Sequence, residues 1–259
     1  MQTLTTTQRF ELHFPPQQAG DGLDQDQEWC EIEIDGERRR IRLHDYAAIY
    51  DVPGLYEHLF PELLACSSPQ VVCDQLGAVL VDAGVDAAAL TALDFGAGNG
   101  MVGEQLADLG VDSIVGIDLL PEARDAALRD RPGVYDDYLA LDLSKLGPSD
   151  RATLEGRNFD LMTCVAALGF GDVPPHVFAE AFNFVSSPGW IAFNLRERFL
   201  ADDDPAGFGR FIRRMLDEGV LEERARMSYT HRVSVAGEPL TYLALVAAKR
   251  RDVPLDWTR

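Results

Sequence analysis

A short apolar segment followed by a glycine-rich turn and a helical pattern constrains this chain more than any other feature. Ala92 and Leu93 close the apolar segment, and residues 94–100 then read Asp-Phe-Gly-Ala-Gly-Asn-Gly. Because glycine has no Cβ, a ligand can approach the backbone of this turn closely. Apolar side chains then recur at helical spacing up to Gly110, a typical residue to follow a helix: Met101, Val102, Leu106 and Leu109. The pattern predicts a buried strand, a ligand-binding loop and a helix N-terminus.

Two classes of ligand are compatible with this loop. Gly98-x-Gly100-x-x-Gly103 matches the dinucleotide fingerprint, in which a pyrophosphate lies at the helix N-terminus. Asp94 opposes that interpretation, because a carboxylate beside the loop repels a diphosphate and attracts an ammonium or a sulfonium group. The loop also lacks the Lys and Ser/Thr of a P-loop, which argues against a nucleoside triphosphate.

With Asp94 to Gly100, the chain resembles the class I S-adenosylmethionine-dependent methyltransferases, whose first motif is an acidic residue followed by G-x-G-x-G after the first strand. The similarity spans roughly residues 45–249, and within this span the Tyr50-Asp51 segment and Ala167-Leu168-Gly169 followed by Asp172-Val173-Pro174 resemble the Williams-Beuren region methyltransferase-like branch. The family's further strands have counterparts in the same order: Ser113–Asp118, Tyr138–Leu143, Phe159–Val165 and, after the turn Ser187–Trp190, Ile191–Phe193.

The resemblance implies an α/β fold with a doubly wound, mostly parallel seven-stranded sheet and a terminal antiparallel strand, the Rossmann-like methyltransferase fold. We expect this domain over residues 45–259, preceded over 1–44 by a flexible arm (1–28) and a β-hairpin extension. The hairpin prediction rests on the turn signal Asp35-Gly36, which places Glu33 opposite Arg38 and Glu31 opposite Arg40.

The resemblance also implies S-adenosyl-L-methionine as the cofactor and distributes its groups among the strand ends. The loop and Asp94 would hold the methionine end, Asp118 the ribose diol, and Asp142 with Leu143 the adenine. Cys164 would lie near the sulfonium, and Tyr50 near the methionine end. The predicted cofactor-binding set is therefore Asp94, Gly96, Ala97, Gly98, Asn99, Gly100, Asp118, Leu119, Asp142, Leu143, Cys164 and Tyr50.

Methyl transfer is a displacement at carbon, so the enzyme mainly aligns the nucleophile, the methyl group and the sulfur. A general base helps where the nucleophile is a hydroxyl or an ammonium. The candidate bases are Asp172 and His176 after the fourth strand, and Asn194 and Glu197 after the fifth. The sequence identifies neither the base nor the methyl acceptor.

Composition limits the kinds of partner that we expect this protein to bind. A formal net charge of -20 on 259 residues opposes binding to phosphate backbones and anionic membranes. The N-terminus has neither a cationic start nor an apolar run, and no stretch of about 18 apolar residues occurs, which predicts a soluble, cytoplasmic protein. The cysteines have no C-x-x-C or metal-ligand spacing, so we expect reduced thiols and no metal: Cys30, Cys66, Cys73 and Cys164. A homodimer is compatible with the sequence.

The sequence therefore predicts a methyltransferase that acts on a small molecule and binds neither nucleic acid nor membrane. One alternative is an NAD(P)-dependent oxidoreductase that uses Gly98-x-Gly100-x-x-Gly103. The other is a non-catalytic partner protein that binds S-adenosylmethionine without turnover.

Overall fold

The chain forms two groups of elements in a computed structural model that describes residues 10–16, 22–34, 36–169, 172–200 and 207–258. The N-terminal unit comprises Met1–Cys66 with His231–Leu240, and the core unit comprises Ser67–Thr230 with Thr241–Arg259. Contacts thus group residues 45–66 with the N-terminal unit. The predicted domain boundary between residues 44 and 45 stays a prediction.

A three-stranded antiparallel sheet organises the N-terminal unit, in the order β1 (Glu11–His13), β2 (Trp29–Ile34) and β3 (Glu37–Arg42). The sheet is followed by α1 (Tyr46–Tyr50), α2 (Leu55–Glu57) and a π-helical turn (His58–Leu63). The buried hydrophobic cluster of this unit is mainly aliphatic: Cys30, Ile32, Ile41, Leu43, Ile49, Val52, Leu55, Leu59, Phe60 and Leu64.

The predicted hairpin is confirmed in its register. Glu33 lies opposite Arg38 and Glu31 opposite Arg40, while Cys30 and Ile41 face each other on the buried side. Asp35, the first residue of the predicted turn, lies outside the described residues.

The prediction of a flexible arm over residues 1–28 is wrong for the described part of that segment. Strand β1 pairs with β2, with Leu12 opposite Ile32, so its ladder and apolar contact offset the entropy of ordering. Asp24 caps a short 3-10 turn (Gln25–Gln27) through a capping box. Residues 1–9 and 17–21 of the predicted arm lie outside the described residues.

A seven-stranded sheet forms the centre of the core unit, as predicted. Its strands, in chain order, are β4 (Thr91–Phe95), β5 (Ser113–Asp118), β6 (Asp137–Ala140), β7 (Phe159–Cys164), β8 (Val185–Arg196), β9 (Leu221–Val233) and β10 (Pro239–Lys249). The order across the sheet is β6-β5-β4-β7-β8-β10-β9. Neighbours from β6 to β8 pair in parallel, whereas β10 pairs antiparallel with β8. The carboxyl ends of the parallel strands therefore share one edge of the sheet.

Six helices accompany this sheet in the described part of the core unit. Pro69 lies in the first turn of the first of these helices, because its missing N–H and fixed φ suit a helix start. The helices are α3 (Ser68–Asp82), α4 (Met101–Asp108), α5 (Pro121–Asp130), α6 (Pro148–Glu155), α7 (Pro175–Asn183) and α8 (Phe208–Asp217).

Strands β8 and β6 differ most from the sequence prediction in their boundaries. Strand β8 begins at Val185. It therefore includes residues 187–190, which were predicted to form a turn before the strand. Strand β6 ends at Ala140, and Leu143 already belongs to a 3-10 turn (Leu143–Lys145).

A helix that crosses a membrane must be both long, about 20 residues, and predominantly apolar. Within the described ranges, no single helix meets both requirements, and one pair of helices, Leu55–Leu63 and Ser68–Asp82, meets them only when the two are taken together.

Candidate functional site

The glycine loop lies at the carboxyl end of β4 and is tied to β5. Gly96, Gly98 and Gly100 have φ values of 72°, 55° and 90°, a left-handed conformation that glycine adopts without a Cβ penalty. The Gly96 and Ala97 N–H groups donate to the Ile117 carbonyl at 2.8 and 3.1 Å. Two N–H groups of the loop thus bond to the neighbouring strand.

Asp118, at the end of β5, binds the same loop. Its Oδ2 accepts from the Gly98 N–H at 2.9 Å, and its Oδ1 accepts from the Leu120 N–H at 2.9 Å. Burial raises the pKa of this carboxyl, against the effect of these hydrogen bonds. Because a carboxylate has about four acceptor positions, Asp118 can accept further bonds from a ligand diol.

Asp94 is enclosed by protein rather than lying beside open space, with 1% of its surface exposed. Its Oδ2 accepts from the Tyr135 hydroxyl at 2.7 Å and its Oδ1 from the Thr163 hydroxyl at 2.9 Å. Burial raises the pKa of Asp94 to about 6, against the effect of these donors and of the Gly103 N–H. A direct contact between Asp94 and a ligand therefore stays a prediction, whereas its bonds to the surrounding residues are observed.

Tyr135 and Tyr138 contribute to the site and were missed by sequence reasoning. A Cβ added to Gly103 would lie 2.5 Å from the Tyr135 ring, and one added to Gly116 would lie 2.7 Å from the Tyr138 ring. The Tyr138 hydroxyl donates to the Gly98 carbonyl at 2.6 Å. The third glycine of the dinucleotide fingerprint is thus explained by packing against a tyrosine. Glycine inside a helix or a strand, where it destabilises, was the available signal.

The raised pKa of Asp94 predicts a pH dependence of stability. The carboxyl of an unfolded Asp titrates near 3.9, whereas that of Asp94 titrates at about 6 in the folded protein. Between these values the folded state retains a proton that the unfolded state has lost, so this group lowers stability as pH rises through the window. We expect Asp94→Asn to remove that decline, as measured by urea unfolding midpoints from pH 4 to 7. Midpoints of the two proteins that run parallel across this range would contradict the assignment.

The predicted adenine-binding residues have distinct local roles. Asp142 caps the 3-10 turn that follows it, because Oδ1 accepts from the Ser144 N–H at 3.0 Å and Oδ2 pairs with Lys145 at 2.9 Å. The Ser144 and Lys145 hydrogen bonds lower the pKa of Asp142 to about 2. Leu143 is buried, whereas Leu119 is 60% exposed. The contacts of Asp142 and Leu143 with an adenine, and of Leu119 with the cofactor, stay predictions.

The end of β7 is apolar and then turns sharply. Cys164 and Val165 are buried, and burial raises the pKa of the Cys164 thiol. Ala166 has a φ of 58°, and its N–H donates to the Asn194 Oδ1 at 2.6 Å. Asn194 is fully buried, and its Nδ2 donates to the Ser68 and Tyr229 hydroxyls. The Asn194 amide is thus bonded to three protein groups, and its role as a base stays a prediction.

The other three candidate bases lie at exposed positions. Asp172 and His176 are exposed, and the Asp172 N–H donates to the Gly169 carbonyl at 3.1 Å. Glu197 is exposed and accepts from the Ser228 hydroxyl at 2.6 Å. The roles of these three residues as bases stay predictions.

Asn99 and Tyr50 are the two other residues predicted to bind the cofactor. Asn99 is buried, and its carbonyl accepts from Arg131 at 3.0 Å. Tyr50 belongs to the N-terminal unit, where its ring stacks on those of Tyr46 and Tyr56 at 6.1 and 5.3 Å between centroids. Their contacts with the cofactor stay predictions. In the part of the chain that the structure describes, no group of three or more His, Cys, Asp or Glu side chains could hold a metal ion.

Comparison with known proteins agrees with this geometry. A family model described as a methyltransferase domain matches residues 93–193. Ubiquinone biosynthesis O-methyltransferases are 32% identical over 142 residues in Burkholderia ambifaria and 30% identical over 118 residues in Thiobacillus denitrificans. These matches cover 54% and 46% of this chain, and 59% and 49% of the relatives, so the chain spans about half the length of the curated relatives it matches.

Among solved structures, a putative RNA methyltransferase from Pyrococcus horikoshii has the same fold, with a TM-score of 0.50 and 16% identity over 71% of this chain and 86% of that one. The sheet order shows the Rossmann-like methyltransferase fold of this neighbour, and residues 93–193 are similar to a methyltransferase domain.

Proposed function

We propose that this protein transfers a methyl group from S-adenosyl-L-methionine to a small-molecule acceptor. The observation that carries the proposal is the combination of a glycine loop, free of Cβ atoms at Gly96, Gly98 and Gly100, with Asp118 bonded to that loop. The left-handed backbone of the loop requires glycine at these positions, and the carboxylate adds negative charge beside the loop.

The same geometry disfavours a dinucleotide. A pyrophosphate at a helix N-terminus needs backbone N–H donors, yet the Gly96, Ala97 and Gly98 N–H groups already bond to Ile117 and Asp118. The Gly103 N–H bonds to Asp94 and partly opposes the rise of its pKa on burial. A diphosphate would have to compete with a buried carboxyl for that donor, whereas a phosphate-free adenosine compound with cationic groups would not.

The residues at the strand ends fit the cofactor chemically. In the proposed arrangement, Asp118 accepts hydrogen bonds from the ribose diol, and the exposed Leu119 lies beside it for the adenine. Cys164 and Val165 form an apolar floor at the end of β7. When bound, S-adenosylmethionine supplies a methyl group on a cationic sulfur, a good leaving group. The chain's own residues then have to orient the acceptor and exclude water.

A small-molecule acceptor is supported by two observations. The net charge of -20 opposes approach to nucleic acid, which draws affinity from Lys and Arg at phosphates. The curated relatives are named for O-methylation in ubiquinone biosynthesis, which favours a small molecule and an oxygen as the target atom. All four cysteines lie in the described part of the chain and carry free thiols, which supports a cytoplasmic location. A homodimer stays a prediction.

The ligand class can be tested by thermal shift, because a ligand that binds only the folded state raises the melting temperature. We expect S-adenosylhomocysteine to raise it and NAD to leave it unchanged. Asp118→Ala removes both the anchor of Gly98 and the predicted acceptor for the diol. Because a hydrogen bond to a charged group contributes about 1.5–3 kcal/mol, we expect roughly a 10- to 100-fold loss of affinity by calorimetry.

Asp112→Ala is the matched control, since Asp112 is exposed just before β5 and its loss changes the net charge equally. Its affinity for S-adenosylhomocysteine should equal that of the wild type. Stabilisation by NAD alone would establish the oxidoreductase alternative. Stabilisation by S-adenosylhomocysteine without methyl transfer to any member of a metabolite panel would support the non-catalytic alternative.

A further inference from the structure

The loop after β7 holds an alanine in an unfavourable backbone conformation. Ala166 has a φ of 58°, in the left-handed region where a Cβ crowds the following carbonyl. Such a residue costs on the order of 1–3 kcal/mol and persists only where its surroundings impose it. The Asn194 Oδ1 accepts from the Ala166 N–H at 2.6 Å and supplies a contact that can impose it.

Asn194 is itself held in a single orientation. Its Nδ2 donates to the Ser68 hydroxyl at 3.0 Å and to the Tyr229 hydroxyl at 2.6 Å, and these two hydroxyls lie 2.6 Å apart. Rotating the amide by half a turn would point its oxygen at the hydroxyls and its NH₂ at the Ala166 N–H, two donors face to face. Strand β8, the start of α3 and strand β9 therefore fix the oxygen that Ala166 needs.

Ala166 begins a loop, and this loop lies beside the glycine loop. A Cβ added to Gly96 would lie 2.7 Å from the Ala167 Cβ, so the residue after Ala166 occupies the space beside Gly96. Releasing Ala166 would allow Ala167 to move relative to the backbone that approaches the ligand.

We propose that Asn194 is a positioning residue of the proposed methyltransferase site: through Ala166 it places Ala167 against Gly96 and thereby fixes the surroundings of the glycine loop. This inference rests on the proposed function. Asn194 acts on the loop backbone, and we assign it no contact with the reacting atoms.

Asn194→Ala tests this role by calorimetry with S-adenosylhomocysteine. We expect about a tenfold loss of affinity, because one buried hydrogen bond contributes about 1 kcal/mol and the released loop can move. Ala166→Gly alone should leave affinity within about threefold, since glycine adopts positive φ without strain. Combined with Asn194→Ala, it should restore most of the affinity, because the loop then no longer needs an imposed conformation. A purely structural role of Asn194 would not be rescued by a glycine at position 166.

Two variants keep the test decisive if Asn194→Ala fails to fold. Ala166→Val leaves the amide network in place but puts a β-branched side chain at positive φ, so it should weaken binding as Asn194→Ala does. Tyr229→Phe removes one of the two hydroxyls that hold Nδ2 while the bond to Ala166 remains, so affinity should fall by less than in Asn194→Ala.

Hydrogen exchange provides a readout without ligand. The Ala166 amide should be protected in the wild type and exchange faster in Asn194→Ala. Wild-type affinity in folded Asn194→Ala or Ala166→Val, a folded double variant without rescue, or unchanged exchange at Ala166 would overturn the inference. A wild-type protein that binds no S-adenosylhomocysteine would refute the proposed function instead, and exchange at Ala166 would still decide whether Asn194 positions the loop.

Discussion

Arg232→Met is expected to destabilise the protein by about 3–5 kcal/mol, the usual cost of removing one partner from a buried ion pair. Arg232 pairs with Glu28 through Nη2, and the two side chains are 2% and 1% exposed. Glu28 also accepts from the Val235 N–H at 2.7 Å. Methionine would fill most of the volume but leave a buried carboxylate without its counter-charge. Chemical denaturation followed by circular dichroism measures the loss.

Two further variants show whether the buried charge is responsible. Glu28→Gln combined with Arg232→Met removes both charges and retains an acceptor for the Val235 N–H, so most of the stability should return. Arg38→Met is the matched exposed control in the same unit, since Arg38 is 51% exposed and pairs with Glu33 at 3.2 Å. We expect it to cost less than about 1 kcal/mol. Equal losses for the buried and exposed arginines would contradict this explanation.

Gly103→Ala is expected to cost about 2 kcal/mol, although alanine is the better helix former. The new Cβ would lie 2.5 Å from the Tyr135 ring. That ring cannot easily move away, because the Tyr135 hydroxyl donates to Asp94 at 2.7 Å. Overpacking costs about 1–3 kcal/mol, sometimes more. The gain in helix propensity, at most about 1 kcal/mol, offsets only part of it. Denaturant unfolding measures the difference.

Gly77→Ala provides the control, because it makes the same change inside α3. Its new Cβ would meet the Leu109 Cδ2 at 2.8 Å, the end of a flexible side chain that can rotate away. We expect a stability equal to or above that of the wild type. If Gly103→Ala were also neutral, Tyr135 would not be the reason for a glycine at position 103.

Local patterns in the sequence were sufficient for much of the fold. Strand β4, the glycine loop and α4 followed from an apolar run and helical spacing, and β5 has the predicted bounds Ser113–Asp118. The register of β2 and β3 followed from alternation on either side of a turn, since a shift by one residue would have exposed Ile32 and Cys30. Such features depend on neighbours in sequence.

The details of the site depend on residues that are distant in sequence. Tyr135 lies in a loop without periodicity, and only the folded chain brings it to Asp94. The sequence suggested Asp94 as a ligand contact because it shows the charge of a residue and not its burial. Asn194 could be seen as a polar residue after a strand, but its bond to Ala166 has no sequence signature. Strand β1 was missed because three residues are too few for a reliable pattern.

The N-terminal unit is discontinuous, since Met1–Cys66 is completed by His231–Leu240 from near the other end of the chain. A truncation that begins at Ser67 would therefore not remove it cleanly. The remaining protein would keep Arg232 but lose Glu28. The Arg232 guanidinium, which is buried and ion-paired in the full chain, would then have no counter-ion. Transplanting the unit onto a related catalytic domain would likewise require grafting both segments at once. We expect shuffling experiments to succeed only when the β9–β10 connection travels with the first 66 residues.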